Sequence, residues 1–173
     1  MKAFVTSALA AGALAWELPT VVPSSENFTE AWFENQIDHW NFQSNDTYLQ
    51  RYWYDNQYCE DLDSCPIFLY ICGEYTCSPP EDRHFPFMVG AHFGARLFVI
   101  EHRYYGASQP MPDWSVESYQ YLNSQQALAD FARFLAEMNE DNATRPTVVI
   151  GGSYPGAMSA WFRDKYPHLA VAS

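Results

Sequence analysis

The chain has 173 residues, of which 48% are hydrophobic and 17% aromatic, and a formal net charge of −12. That length supports one domain with a sizeable core, and the composition is globular rather than disordered. The acidic balance argues against nucleic acid and anionic membrane surfaces as partners, because both need positive charge.

Residues 1–15 read as a secretory signal. Lys2 supplies the positive start, residues 3–13 are small or apolar apart from Thr6 and Ser7, and Ala13-Leu14-Ala15 offers a cleavage site before Trp16. The competing reading is a buried N-terminal helix. The run is too short to span a bilayer, which takes ~20 apolar residues, and no later segment qualifies. Residues 16–30 are rich in Pro, Ser and Thr and are expected to be irregular. Sequons at Asn27, Asn45 and Asn142 agree with passage through the secretory pathway.

Thr47 opens an aromatic-rich stretch, residues 47–54, that predicts a strand. Cys59, Cys65, Cys72 and Cys77 follow within a short window. In an oxidising compartment an even count predicts two disulfides, and three connectivities are open. Sequential pairing closes short local loops. A zinc site is the disfavoured alternative, since no Cys-x-x-Cys pair is present and His84 is the only histidine near.

Residues 66–72, Pro-Ile-Phe-Leu-Tyr-Ile-Cys, form a continuous apolar run, the signature of a strand buried on both faces. A short helix is expected over 86–93 with Gly94 as its stop, then a second buried strand over 97–100. Ser124 is placed to cap a helix whose apolar positions are Ala127, Leu128, Phe131, Phe134, Leu135 and Met138, with Asp130, Arg133 and Glu137 on the other face. A turn over 142–146 leads to a third buried strand, 147–150, and a helix from about 156 to 166. Strands and helices alternate, which predicts an α/β fold with a parallel sheet covered on both faces and its strand C-termini on one edge. Such sheets carry their sites on that edge.

The third strand runs into Gly151-Gly152-Ser153-Tyr154-Pro155-Gly156 and then a helix. A serine at a tight strand-to-helix turn is a nucleophile elbow. The turn pushes the hydroxyl out of the sheet edge, and the Tyr154 amide at the helix start can face a developing oxyanion. The pattern departs from Gly-x-Ser-x-Gly at Pro155. Proline is favoured in the first turn of a helix, so the change is physically tolerable. A plain strand-to-helix turn is the alternative reading of the same residues.

More widely spread motifs give a specific resemblance. They are Gln36-Ile37-Asp38-His39-Trp40-Asn41-Phe42, Gln50-Arg51-Tyr52, Pro66-Ile67-Phe68-Leu69-Tyr70 with Gly73-Glu74, and Glu101-His102-Arg103-Tyr104-Tyr105-Gly106. Tyr121-Leu122, Gln126-Ala127-Leu128-Ala129-Asp130, Gly151-Gly152-Ser153-Tyr154, Ala160-Trp161-Phe162-Arg163 and Lys165-Tyr166-Pro167 complete the set. Over residues 30–173 the chain resembles the lysosomal Pro-Xaa carboxypeptidase and dipeptidyl peptidase II family of serine peptidases. The resemblance implies that residues 31–173 are the N-terminal, incomplete part of an α/β-hydrolase domain. It implies peptide substrates, acyl-enzyme chemistry without cofactor or metal, and an extracellular or lysosome-like location. It assigns Ser153 as nucleophile, the Tyr154 amide as oxyanion donor, and Gly73-Glu74 as the loop of a second donor. That loop departs from the family's Gly-Asn-Glu-Gly.

A serine nucleophile needs a base and an orienting carboxylate, which in this fold follow it in the chain. Downstream of Ser153 stand only Asp164 and His168, around the end of a helix leading away from the site, and both read as solvated. Among the earlier histidines (His39, His84, His92 and His102), His102 is the best neighbour for Ser153, with a structural role preferred. The triad partners are therefore expected beyond residue 173. A serine exopeptidase, inactive as these residues alone, is the leading reading. An esterase or lipase of the same fold and a non-catalytic secreted protein are the alternatives.

Overall fold

A computed structural model describes residues 21–82, 84–139 and 145–173. Residues 1–15, expected from the sequence to be a secretory signal, and the Asn142 sequon lie outside the described residues. The strands are β1 (Thr29–Gln36), β2 (Thr47–Asp55), β3 (Ile67–Ile71), β4 (Arg96–Ile100) and β5 (Thr147–Ile150). The helices are α1 (Phe85–His92), α2 (Val116–Tyr119), α3 (Ser124–Met138) and α4 (Tyr154–Lys165). One sheet forms in the order β1-β2-β4-β3-β5.

β3 lies between β4 and β5, parallel to both, so their C-terminal ends share one edge as expected. The sheet is not wholly parallel, however. β2 pairs antiparallel with β4, and β1 antiparallel with β2. β1 begins inside the segment expected to be irregular. Its sequence, Thr-Glu-Ala-Trp-Phe-Glu-Asn-Gln, is half exposed at the sheet edge and lacks the apolar run that marks a central strand.

The apolar runs sort by alternation. Ile67, Leu69 and Ile71 pack with Phe131, Phe134 and Leu135 of α3 and with Met158 and Phe162 of α4. Phe68 and Cys72 face the other way, packing with Phe87 of α1, Trp53 and Val99. Period-two side chains thus feed two separate cores. Each fully buried Phe or Leu contributes about 1.5–3 kcal/mol by leaving water.

Other local expectations shift. α3 is capped by Asn123, whose Oδ1 accepts from the Gln126 N–H at 2.9 Å, and Ser124 is the first helical residue. α1 starts one residue early, at Phe85, and α4 two residues early, at Tyr154. Asp130 is not on a solvated face. It is fully buried, as is Arg103. The cysteines pair sequentially, Cys59–Cys65 and Cys72–Cys77. Asn27 and Asn45 are exposed. Among the described residues no helix is long and apolar enough to cross a membrane.

Candidate active site

β5 ends at Ile150 and α4 begins at Tyr154, leaving three residues to reverse direction. Ser153 takes φ 60° and ψ −128°, one of two non-glycine residues with positive φ among those described. Such a backbone is strained for a residue with a Cβ. Ser153 stands at the N-cap of α4, yet its hydroxyl makes no capping bond. The side chain is exposed on the edge where the parallel strands end.

The neighbouring residues explain the turn. A Cβ on Gly151 would lie 2.3 Å from the Pro155 carbonyl oxygen, so only glycine lets α4 approach β5 there. Nothing lies within 4 Å of a Cβ on Gly152, which is glycine without steric need. Pro155 is buried in the first turn of α4. A Cβ on Gly73 would sit 2.7 Å from its Cγ. The ring that replaces the usual glycine is therefore accommodated by a glycine in another loop. This contact also joins the elbow to the segment after β3, bringing Ser153, Tyr154 and Gly73 to one place.

That segment is a short loop sealed at its base by the Cys72–Cys77 disulfide. The Tyr75 N–H donates to the Gly73 carbonyl at 2.8 Å and the Cys77 N–H to Glu101. Glu74 is exposed. On the other side of the site, the first-turn amides of α4 have no carbonyl within their own helix to bond. The positive end of the α4 dipole thus lies at Ser153, and the loop after β3 packs on the next turn through Gly73 and Pro155.

His102 lies behind Tyr154. Its Nδ1–H donates to the Arg103 carbonyl at 2.8 Å, so Nε2 carries the lone pair and faces the Tyr154 hydroxyl at 3.3 Å. Burial holds the imidazole below its ordinary pKa range. Burial, then the charge of Glu74, pushes the Tyr154 phenol up. His102 is a neutral partner of Tyr154, consistent with a structural role. Asp164 and His168 are exposed along and beyond α4, as expected, and His92 is exposed on α1. His84 precedes α1 and packs edge-on against Tyr70, with ring centroids 5.0 Å apart.

The loop after β4 does more than its sequence suggests. Arg103 donates through Nε and Nη2 to the two Asp130 carboxylate oxygens at 2.6 and 2.7 Å. Its remaining N–H groups reach the carbonyls of Gln36, Ile37 and Tyr121. Asp130 also accepts from the Tyr48 hydroxyl and from His39 Nε2, at 2.8 and 2.7 Å. Burial alone would raise the Asp130 carboxyl, but the Arg103 charge holds it below the usual carboxylate range. This network ties the chain before β2 to the loop after β4 and to α3. One local signal was available: Asp130 stands three residues after Ala127 and four before Phe134, on the apolar stripe of α3.

Beside these loops lies an open cleft of about 450 Å³, lined by Tyr75, Tyr104, Tyr105, Trp114, Tyr119 and Leu122 among others. It received no expectation from the sequence, because its walls come from three separate segments.

Comparison with known proteins gives the family and the fold. Residues 35–173 match the model of the serine carboxypeptidase S28 family. Over 166 residues the chain is 34% identical to the lysosomal Pro-X carboxypeptidase of Homo sapiens, covering 90% of this chain and 33% of that protein. Over 148 residues it is 34% identical to the thymus-specific serine protease of Mus musculus, covering 83% of this chain and 29% of that protein. The chain thus spans about a third of the length of these relatives. Among solved structures, a post-proline cleaving enzyme from Rickettsia typhi superposes with a TM-score of 0.58 at 20% identity, covering 85% of this chain and 20% of that one; this likeness shows the fold. A strand-to-helix elbow on an α/β-hydrolase sheet, with the family match running through it, places this chain in the serine carboxypeptidase S28 family of serine peptidases.

Proposed function

We propose that this chain is the nucleophile-bearing part of a serine exopeptidase that cleaves peptides next to proline or releases dipeptides. Ser153 attacks the scissile carbonyl to form an acyl-enzyme, which water then hydrolyses. The Tyr154 amide and the Gly73-Glu74 loop donate to the oxyanion. The observation that carries the reading is Ser153 itself, at φ 60° between β5 and α4, with a hydroxyl free of its own helix.

Among the described residues no histidine ring is hydrogen-bonded to Ser153. The reading therefore assigns base and acid to sequence beyond residue 173, in the order Asp then His. Residues 1–15 direct the protein into the secretory pathway, and the paired cysteines and exposed Asn27 and Asn45 support that route.

The test is a fluorophosphonate probe on the full-length protein, alongside panels of Pro-containing peptides and short-chain esters. Labelling at Ser153, and loss of both labelling and peptide turnover in Ser153→Ala, is the expected result. Turnover of esters alone would replace the peptidase by an esterase. Labelling that persists in Ser153→Ala would remove the nucleophile assignment.

A further inference from the structure

Glu101 is fully buried, and both of its carboxylate oxygens are occupied. Oε1 accepts from Arg51 Nη2 at 2.8 Å and from the Cys77 N–H at 3.1 Å. Oε2 accepts from the N–H groups of Ala107 and Ser108, each at 3.0 Å, and from the Ser108 hydroxyl at 2.7 Å. Arg51 Nη2 also reaches the Cys77 carbonyl at 3.4 Å. The pair therefore grips both backbone polar groups of Cys77. Gly106, at φ 59°, makes room for this: a Cβ there would fall 1.9 Å from Glu101 Oε1.

Cys77 is the far end of the loop after β3. The near end is fixed through Cys72, whose N–H donates to the Ile100 carbonyl at 3.0 Å, and the disulfide joins the two ends. The loop thus has four anchors: the β3–β4 register, the disulfide, the packing of Gly73 on Pro155, and the carboxylate of Glu101. The last couples it by hydrogen bonds to the loop after β4, which supplies Tyr104 and Tyr105 to the aromatic cleft. A buried charge held by five donors is a costly way merely to fill space. Oriented donors, by contrast, act on a transition state only if their loop does not move when charge develops.

We infer that Glu101, held by Arg51, is a positioning residue that sets the Gly73-Glu74 loop in donor geometry toward Ser153. This rests on reading that loop as part of the oxyanion hole. Glu101 touches no substrate; it acts through the Cys77 backbone. In Glu101→Gln the remaining oxygen stays with the three donors of Ala107 and Ser108, so the NH₂ faces Arg51 and the Cys77 N–H and the 73–77 loop is released.

The experiment compares wild type, Glu101→Gln and Arg51→Met in the full-length protein. For Glu101→Gln, kcat should fall by up to about 10²-fold while KM changes little, because a misplaced donor affects the transition state and not substrate binding. Affinity for a peptide aldehyde, whose hemiacetal oxygen occupies the oxyanion position, should fall in parallel with kcat/KM. Amide exchange measured by mass spectrometry should rise across residues 73–77 and stay unchanged in β3 and β5. Arg51→Met should shift all three readouts in the same direction and by less, and it decides the matter if Glu101→Gln does not fold. Unchanged exchange over 73–77 with an unchanged kcat overturns the inference. Faster loop exchange with kcat and aldehyde affinity intact also overturns it, and shows that the loop is no oxyanion donor. Failure of the nucleophile reading is separate, since it appears as persistent activity in Ser153→Ala.

Discussion

Replacing Asp130 with Asn removes one negative charge from a place that water does not reach. Asp130 and Arg103 are both 0% exposed. The carboxylate accepts four hydrogen bonds: two from Arg103, one from Tyr48 and one from His39. Asparagine keeps one acceptor oxygen and points an NH₂ at groups that are themselves donors. Arg103 then holds an uncompensated buried charge, and breaking a buried pair this way costs about 3–5 kcal/mol. Against a total stability of about 5–15 kcal/mol, that is a large fraction. With a urea m-value of about 2 kcal/mol/M, the midpoint should fall by roughly 1.5–2.5 M. The assay is urea unfolding near pH 7 with disulfides intact, comparing wild type, Asp130→Asn and the double variant Arg103→Met/Asp130→Leu. The double variant should be more stable than Asp130→Asn, because no charge is stranded. Its recovery should be partial, because the Gln36, Ile37 and Tyr121 carbonyls lose their donor. A loss below about 1 kcal/mol in Asp130→Asn, at unchanged m, would refute the reasoning.

Acid unfolding follows from the same group. Its folded pKa is depressed below the unfolded value of about 3.9, so its stabilisation is complete above that value and is lost as pH falls through the folded pKa. Stability should therefore drop below about pH 4 in wild type and less steeply in Asp130→Asn; equal acid limbs would contradict this. Ser153→Gly should abolish turnover yet raise stability by about 1 kcal/mol, since strain of about 1–3 kcal/mol at φ 60° is relieved and part is returned as glycine entropy. A destabilised Ser153→Gly would mean the turn is not strained. Gly73→Ala should lower kcat by about 10-fold or more, because its methyl group drives the loop off Pro155; wild-type kcat would show the contact to be soft. N-terminal sequencing of secreted material should begin at Trp16, and a mature chain starting at Met1 would remove the signal assignment.

Much was legible in the chain because it is local. The runs at 66–72, 97–100 and 147–150 are apolar on consecutive residues, which only a doubly covered strand requires, and they became β3, β4 and β5. The 3.6-residue stripe from Ala127 to Met138 marks α3, and the strand-turn-helix context marks the turn that carries Ser153. The cysteines lie so close together that sequential pairing was among the few options. What only the tertiary structure decided joins residues far apart in sequence. β1 is a strand because β2 offers it an edge, and its own alternation is too polar to announce it. Gly73 is required by Pro155, across the width of β3 and β5. Asp130 and Glu101 read as ordinary acids, since a carboxylate is normally solvated. They are buried because Arg103 and Arg51 arrive from other strands and loops to neutralise them, and no periodicity within a helix or strand encodes a partner that the fold brings in from elsewhere.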